Sequence, residues 1–299
     1  MINIFKNTKY DFIGKRKFAY ILSLAIIIPG IVSFIVKGGP KYGIDFTGGS
    51  LVRLHFEQPI PISDLRAKLS QMGFKEAVIQ EEKGTKYDYL IRTYPKEGIG
   101  NEICKLFTPS PTVVQEDLVG PAISENFRQK AIWVVLLCWA CMLIYIWIRF
   151  QFRWGVCAVI SIVHDLILTA GLLSILNKEF TASILAALLT IIGYSINDSI
   201  VISDRIRENK RLLRKVSLTD LVNTSVNETL SRTVITGLST MFVLVILFFF
   251  GGPVIHDFAF TMLIGIVVGT YSSVYVVSAL VVDWDLWSSK KKIAAKNSK

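Results

Sequence analysis

Asp165 and Asp198 are two carboxylates inside runs of apolar residues long enough to cross a membrane. An ionised carboxylate at the bilayer centre costs about 2.5–3.5 kcal/mol on insertion scales, so such groups face a bundle interior and often serve proton or ion paths. Protonation cancels the charge, which lets one residue favour two packings of its helix. Asp198, beside Asn197, lies about two helical turns before its run ends in Asp204, Arg205, Arg207 and Glu208. Asp165 follows His164 near the middle of another run. For each aspartate the alternative is a fixed hydrogen-bonded node that never titrates. Arg232 opens the next run, one turn after Glu228. An i,i+4 pair with Glu228 would account for it; a partnership with Asp198, at similar depth, is the other reading.

Other chemistries fail on their residue requirements. The run Gly43-Ile44-Asp45-Phe46-Thr47-Gly48-Gly49-Ser50 resembles a phosphate loop, but that loop needs Lys where Gly49 stands. A turn-rich lead into a strand explains the glycines. No Gly-x-Ser-x-Gly element or His-Glu-x-x-His pair occurs, and His55, His164 and His256 are scattered. Cys104, Cys138, Cys141 and Cys157 have no zinc spacing, and three of them lie in or beside apolar runs, so neither a metal site nor a disulfide framework is expected. No cofactor is expected, and the chain does not read as an enzyme.

The elements that must hold these residues follow from composition. Of 299 residues, 52% are hydrophobic and 19% charged, too apolar for a soluble protein of this length. Six runs reach or approach the roughly 20 residues that span a hydrocarbon core: residues 18–36, 131–148, 154–176, 180–203, 233–255 and 258–282. Helices are the expected form, because backbone groups in lipid must be satisfied internally and these runs are too long for barrel strands. Turns are expected at residues 177–179 and 251–257. The net charge of +10 is not spread as in a nucleic-acid binder. Five basic residues precede the first run, two lie in 149–153, seven in 204–232 and five after 283, against Lys178 alone in the two opposite short loops. By the positive-inside rule both termini are cytoplasmic. The first run is long for a signal peptide and reads as a permanent anchor. In span six, Gly265-x-x-x-Gly269 with Ser272 and Ser273 marks close helix packing.

The expected organisation is therefore a cytoplasmic N-terminus (1–17), a first span (18–36), an extracytoplasmic domain (37–130), five further spans (131–283) and a basic tail (284–299). The 13 basic and 12 acidic residues of the domain nearly cancel. Its pattern reads strand (50–56), helix (62–72), strand (75–80), strand (87–92), helix (96–107), strand (112–118), with Ser63 capping the first helix and Gly73 ending it. That order is the split βαβ arrangement of a ferredoxin-like sandwich.

Tyr42-Gly43-Ile44-Asp45-Phe46-Thr47-Gly48-Gly49 resembles the signature of the SecD/SecF family. So do Val119-Gly120-Pro121, His164-Asp165, Gly193-Tyr194-Ser195-Ile196-Asn197-Asp198-Ser199, Asp204-Arg205-Ile206-Arg207-Glu208-Asn209, Leu230-Ser231-Arg232-Thr233, Gly251-Gly252-Pro253 and Gly269-Thr270-Tyr271-Ser272-Ser273. Asn197-Asp198 looks like the SecF side. The resemblance implies an RND-superfamily subunit of the inner membrane that acts with SecD beside the SecYEG channel. It also allows a YajC-like accessory subunit, and it implies use of the proton-motive force to help export preproteins, while ATP hydrolysis belongs to SecA. By motif, Asp198 and Arg232 would be proton-pathway residues, with Asp165 and Asn197 as further candidates. Membrane lipid is the surrounding medium, and nucleic acid is not an expected partner. An RND-type small-molecule exporter half and a non-conducting scaffold of the translocase are the competing readings. The first would need a larger outer domain than 37–130. The coupling ion, H⁺ or Na⁺, is left open.

Overall fold

The computed structural model describes residues 8–81, 87–213 and 216–297. In chain order the elements are α1 (Arg16–Val36), α2 (Ile44–Thr47), β1 (Gly49–His55), α3 (Ile62–Gln71), β2 (Val78–Glu81), β3 (Asp88–Thr93), α4 (Ile99–Cys104), β4 (Thr112–Val119), α5 (Pro121–Arg149), α6 (Phe152–Ile175), α7 (Ala182–Leu212), α8 (Leu218–Phe250), α9 (Gly252–Tyr271), a π-helical segment (Ser272–Val277) and α10 (Ser278–Asn297). The chain forms two compact units: Tyr42–Val134 with Phe180–Ala182, and the remainder.

The smaller unit is a four-stranded antiparallel sheet in the order β2-β3-β1-β4. With helices after β1 and β3, this is the ferredoxin-like sandwich. Alternation along the strands sends Val52, Leu54, Ile79 and Ile91 to one face, where Leu65 and Leu69 of α3 and Ile99 and Ile103 of α4 cover them. Each such apolar side chain contributes about 1.5–3 kcal/mol by leaving water. Three local expectations need correction. Ser63 does not cap α3: Pro61 holds the N-cap position, and the Ser63 hydroxyl donates to Asp64. The second helix is shorter than 96–107, starting at Ile99 after Gly98 takes a left-handed φ of 67°. The strand expected at 75–80 is Val78–Glu81, because Phe74 and Ala77 form a turn (the Ala77 N–H donates to the Phe74 carbonyl). Gly73, with φ 91°, ends α3 as expected.

The glycine run has a definite job in this unit. Gly48 and Gly49 adopt φ values of 71° and 133°, and a Cβ on Gly49 would stand 2.7 Å from the Thr93 carbonyl oxygen. Only glycine lets β1 begin that close to β3. Asp45, in the α2 turn, accepts the Ala182 N–H at 2.8 Å, and the Gly43 N–H donates to the Phe180 carbonyl. The carboxylate thus satisfies a donor at the first residue of α7 and complements the positive end of its dipole.

Six helices among the described residues are long and apolar enough to cross a membrane: Arg16–Val36, Pro121–Arg149, Phe152–Ile175, Ala182–Leu212, Leu218–Phe250 and Ile255–Lys291. The protein is an α-helical polytopic membrane protein of six spans. Several helices outrun their apolar cores. Span two begins at Pro121, and α8 begins at Leu218 behind Ser217, whose hydroxyl accepts the Asp220 N–H. The connection expected at 251–257 shrinks to Gly251, because α9 starts at Gly252.

In the larger unit α1 and α6 run parallel in one register. A Cβ on Gly30 would lie 2.8 Å from the Cα of Gly171, so the two backbones cross in contact there, as small residues permit. Three residues further along, Ser33 and Ser174 share a hydrogen bond of 2.8 Å; seven residues back, Ser23 meets His164 at 2.9 Å. The Gly–Gly crossing thereby delivers α1 to the polar centre of α6.

Candidate functional site

Asp165 is 1% exposed and every part of its carboxylate is engaged. Oδ2 accepts the hydroxyls of Ser195 at 2.6 Å and Ser272 at 2.7 Å, and Oδ1 lies 2.9 Å from His164 Nδ1. His164 Nε2 stands 2.9 Å from Ser23, whose Oγ is 3.1 Å from the Tyr271 hydroxyl. Tyr271 in turn donates to the Ala19 carbonyl at 2.6 Å. The network ties together α1, α6, α7 and span six. Close packing sets its dimensions: a Cβ on Gly269 would be 3.3 Å from the Ser195 Cβ, so α9 reaches α7 where both serines meet Asp165. Ser272 opens the π-helical segment, and Ser278, just beyond it, donates its hydroxyl to the Ser273 carbonyl. Such wide turns displace the side chains that follow them and occur often at functional sites.

Asp198 has the opposite environment. It is 2% exposed, yet its Oδ2 meets no hydrogen-bond partner among the described residues. The charge that acts on it is that of Arg232, across the α7–α8 pair. One turn away on α7, the Tyr194 hydroxyl lies 3.3 Å from where a Cβ on Gly237 would stand, and Thr270 Oγ1 is 3.6 Å from the same point. Residues of α7, α8 and α9 thus bring polar groups together beside a buried carboxylate with an unused oxygen. An unpaired buried acceptor is strongly unfavourable as an anion and far less so as an acid. This arrangement suits a group that gains and loses a proton.

The four sequence candidates therefore do not form one cluster. Asp198 feels the charge of Arg232 without a direct ion pair among the described residues, whereas Asp165 sits in its own saturated network. Asn197 is exposed, whereas Asp198 beside it is buried. The i,i+4 pairing of Glu228 with Arg232 is not what forms. Glu228 instead accepts Arg205 Nε at 2.7 Å and Asn209 Nδ2 at 2.6 Å. Sequence reasoning passed over Ser23 and named Ser272 only for close packing and Tyr271 only within a motif, because their roles depend on helix register; it set His164 beside Asp165 without a bond between them. It also missed Asp45, for which an acidic residue shortly before a glycine pair is too weak a signal. The described residues contain no group of three or more His, Cys, Asp or Glu able to hold a metal ion.

Comparison with known proteins supplies the context for this geometry. The family model for the C-terminal region of the protein export membrane proteins SecD and SecF matches residues 100–287, and that for the SecD/SecF GG motif matches 33–60. The protein translocase subunit SecF of Thermodesulfovibrio yellowstonii is 41% identical over 290 residues, covering 94% of this chain and 96% of its own length. The protein translocase subunit SecDF of Thermus thermophilus is 43% identical over 286 residues, covering 92% of this chain but only 38% of that larger protein. The crystal structure of Thermus thermophilus SecDF superimposes with a TM-score of 0.83 at 42% identity, over 93% of this chain and 39% of that one. The chain belongs to the SecD/SecF family of protein export membrane proteins, as a SecF-type translocase subunit.

Proposed function

We propose that this subunit works with a SecD partner in the inner membrane, using the proton-motive force to assist preprotein movement through SecYEG, with Asp198 as the proton-carrying group and Arg232 as its charged companion. One observation carries the reading: Asp198 is buried at 2% exposure with an oxygen that no described residue satisfies, under the influence of the Arg232 charge. When protonated, Asp198 is a neutral acid that loosens its hold on Arg232; when ionised, it draws the α7–α8 pair together. A proton crossing the membrane supplies about 2.3 kcal/mol per 100 mV, enough to bias two packings of a helix pair. Outside the cytoplasm there is no ATP, so work there must draw on the ion gradient.

Orientation is part of the proposal. Charged contacts gather at one end of the bundle: Arg16 with Asp283, Arg149 with Asp204, Arg153 with Asp285 and Arg205 with Glu228. The basic segments lie at that end, so it is cytoplasmic by the positive-inside rule; a domain that follows one span from a cytoplasmic N-terminus is extracytoplasmic by connectivity. SecDF proteins carry a SecF-like part in one chain with the remainder, which supports SecD as the partner. SecYEG, a YajC-like subunit and emerging preproteins complete the assembly.

The test is preprotein export into sealed, energised inner-membrane vesicles at equal SecD and SecF-type subunit levels. Asp198→Asn is expected to abolish gradient-dependent stimulation while the complex stays assembled. Unchanged stimulation would make the carboxylate structural and the subunit a scaffold.

A further inference from the structure

We infer that Asp165 and His164 form a net-neutral lock, one proton held between them, that positions α7 and the π-helical segment and is not a step in the ion path. The inference rests on the reading of Asp198 as the proton carrier and assigns the second buried aspartate a different task. It comes from counting donors. The Tyr271 hydroxyl is 2.6 Å from the Ala19 carbonyl, which only accepts, so the tyrosine proton is committed there. Ser23 must then donate its single proton to the Tyr271 oxygen at 3.1 Å. That leaves Ser23 Oγ only acceptor capacity toward His164, so Nε2 carries a hydrogen across the 2.9 Å contact. On the other side of the ring, one proton lies between Nδ1 and Asp165 Oδ1, also 2.9 Å apart. The pair is imidazolium with carboxylate, or imidazole with carboxylic acid. Its net charge is zero in both forms.

Losing that proton would leave a net negative charge near the middle of span three, which a membrane interior strongly disfavours. It would also leave two acceptors facing each other at the Nδ1–Oδ1 contact, unless the ring's remaining hydrogen moved to Nδ1 and gave up the contact to Ser23. Apart from Asp165 and His164, the one titratable group in the network is Tyr271; the contacts from α1 and α7 are the hydroxyls of Ser23 and Ser195. The oxygen on the other side of the carboxylate is saturated by Ser195 and Ser272. Ser195 stands three residues before Asp198 on α7, so the lock fixes the rotation of the helix that presents Asp198. Asp165 is thus a positioning residue.

The lock predicts an unusual order of damage, read as gradient-dependent export stimulation in energised vesicles, with thermal unfolding of the purified complex alongside. His164→Ala leaves a lone buried carboxylate and should lower stimulation about tenfold or more, given the cost of an unpaired charge in a membrane. Asp165→Asn removes the charge and keeps an acceptor for the serines, so it should retain most stimulation and the wild-type pH midpoint. The double variant His164→Ala with Asp165→Asn should recover to the level of Asp165→Asn alone, a rescue that simple loss of packing would not give. The lock is overturned if Asp165→Asn abolishes stimulation in an assembled complex, or if the double variant is no better than His164→Ala. Asp198→Asn runs in parallel. If it keeps full stimulation, the ion-path reading fails, and the rescue pattern in thermal unfolding alone decides the lock. If His164→Ala does not assemble, Asp165→Asn and the double variant still decide it.

Discussion

Asp45 shows how much one carboxylate can do without chemistry. It lies in the Gly43–Ser50 run, where a phosphate loop is the tempting reading, and it accepts the first N–H of α7 at 2.8 Å. Ala182 and Phe180 belong to the same compact unit as Asp45, so the motif that opens the sheet also ties down this short returning stretch of chain. Asp45→Ala is expected to remove about 0.5–2 kcal/mol, the usual worth of such a cap. Asp45→Asn should retain most of it, since an amide oxygen can accept the same N–H. Thermal unfolding of the purified protein in detergent measures both. An Asp45→Ala protein as stable as wild type would reduce the contact to coincidence.

At the scale of elements, the six spans were legible because an apolar run of twenty residues has few alternatives in lipid. The sheet was legible because period-two alternation and glycine punctuation fall where β1 to β4 lie. What sequence could not show depends on register between helices. The 141-residue offset shared by Ser23 with His164, Gly30 with Gly171 and Ser33 with Ser174 is invisible until α1 is laid on α6. The π-helical segment has no signature in a run of Ser, Val and Tyr, and the Ser63 cap failed because Pro61 starts α3 first. The segment before α1 reads from sequence only as a basic cytoplasmic N-terminus, yet Tyr10, Phe12 and Ile13 of it are built into the bundle. Asn227 exchanges two hydrogen bonds with the Tyr10 backbone, and Asn223 accepts the Phe12 and Ile13 N–H groups. Ile13 is fully buried. Asp11, held by the Gly14 N–H and then by Asn223, has its carboxyl below the ordinary value of 3.8. A lowered native value means that its contribution is present above 3.8 and is lost as pH falls through the lowered value, so the clamp should hold across the neutral range. Asn223→Ala is expected to speed amide exchange at Phe12 and Ile13 about tenfold, the worth of one to two hydrogen bonds. Exchange at the wild-type rate would show that the apolar anchors alone hold the segment.

For the whole molecule, the chain spans about two fifths of the fused SecDF proteins, and its own surface shows where more protein belongs. Ala186, Thr190, Gly193 and Asn197 recur at intervals of three and four residues along α7, so they share one face, and all four are exposed. Arg232 and Ser239 of α8 are exposed as well. Elsewhere the outward surface of the spans is what lipid requires: Trp133, Leu137 and Trp147 of α5 are 73%, 65% and 80% exposed. A face of small and polar residues suits neighbouring helices, because small side chains let backbones approach and polar ones find partners across the interface. The SecD partner is accordingly expected to cover this α7 face, bringing its own helices beside Asn197 and Arg232. Thr190→Trp would hold those helices off while leaving the interior of this chain untouched, because Thr190 is exposed within it. The expected outcome is a loss of about 1–2 kcal/mol of helix–helix association, roughly tenfold less SecD recovered on copurification at limiting concentration. Leu137→Trp, placed on the lipid-facing surface of α5, should leave recovery unchanged. Equal recovery with both variants would move the partner to another face, and Asn197 would then need a different explanation for standing exposed within a span.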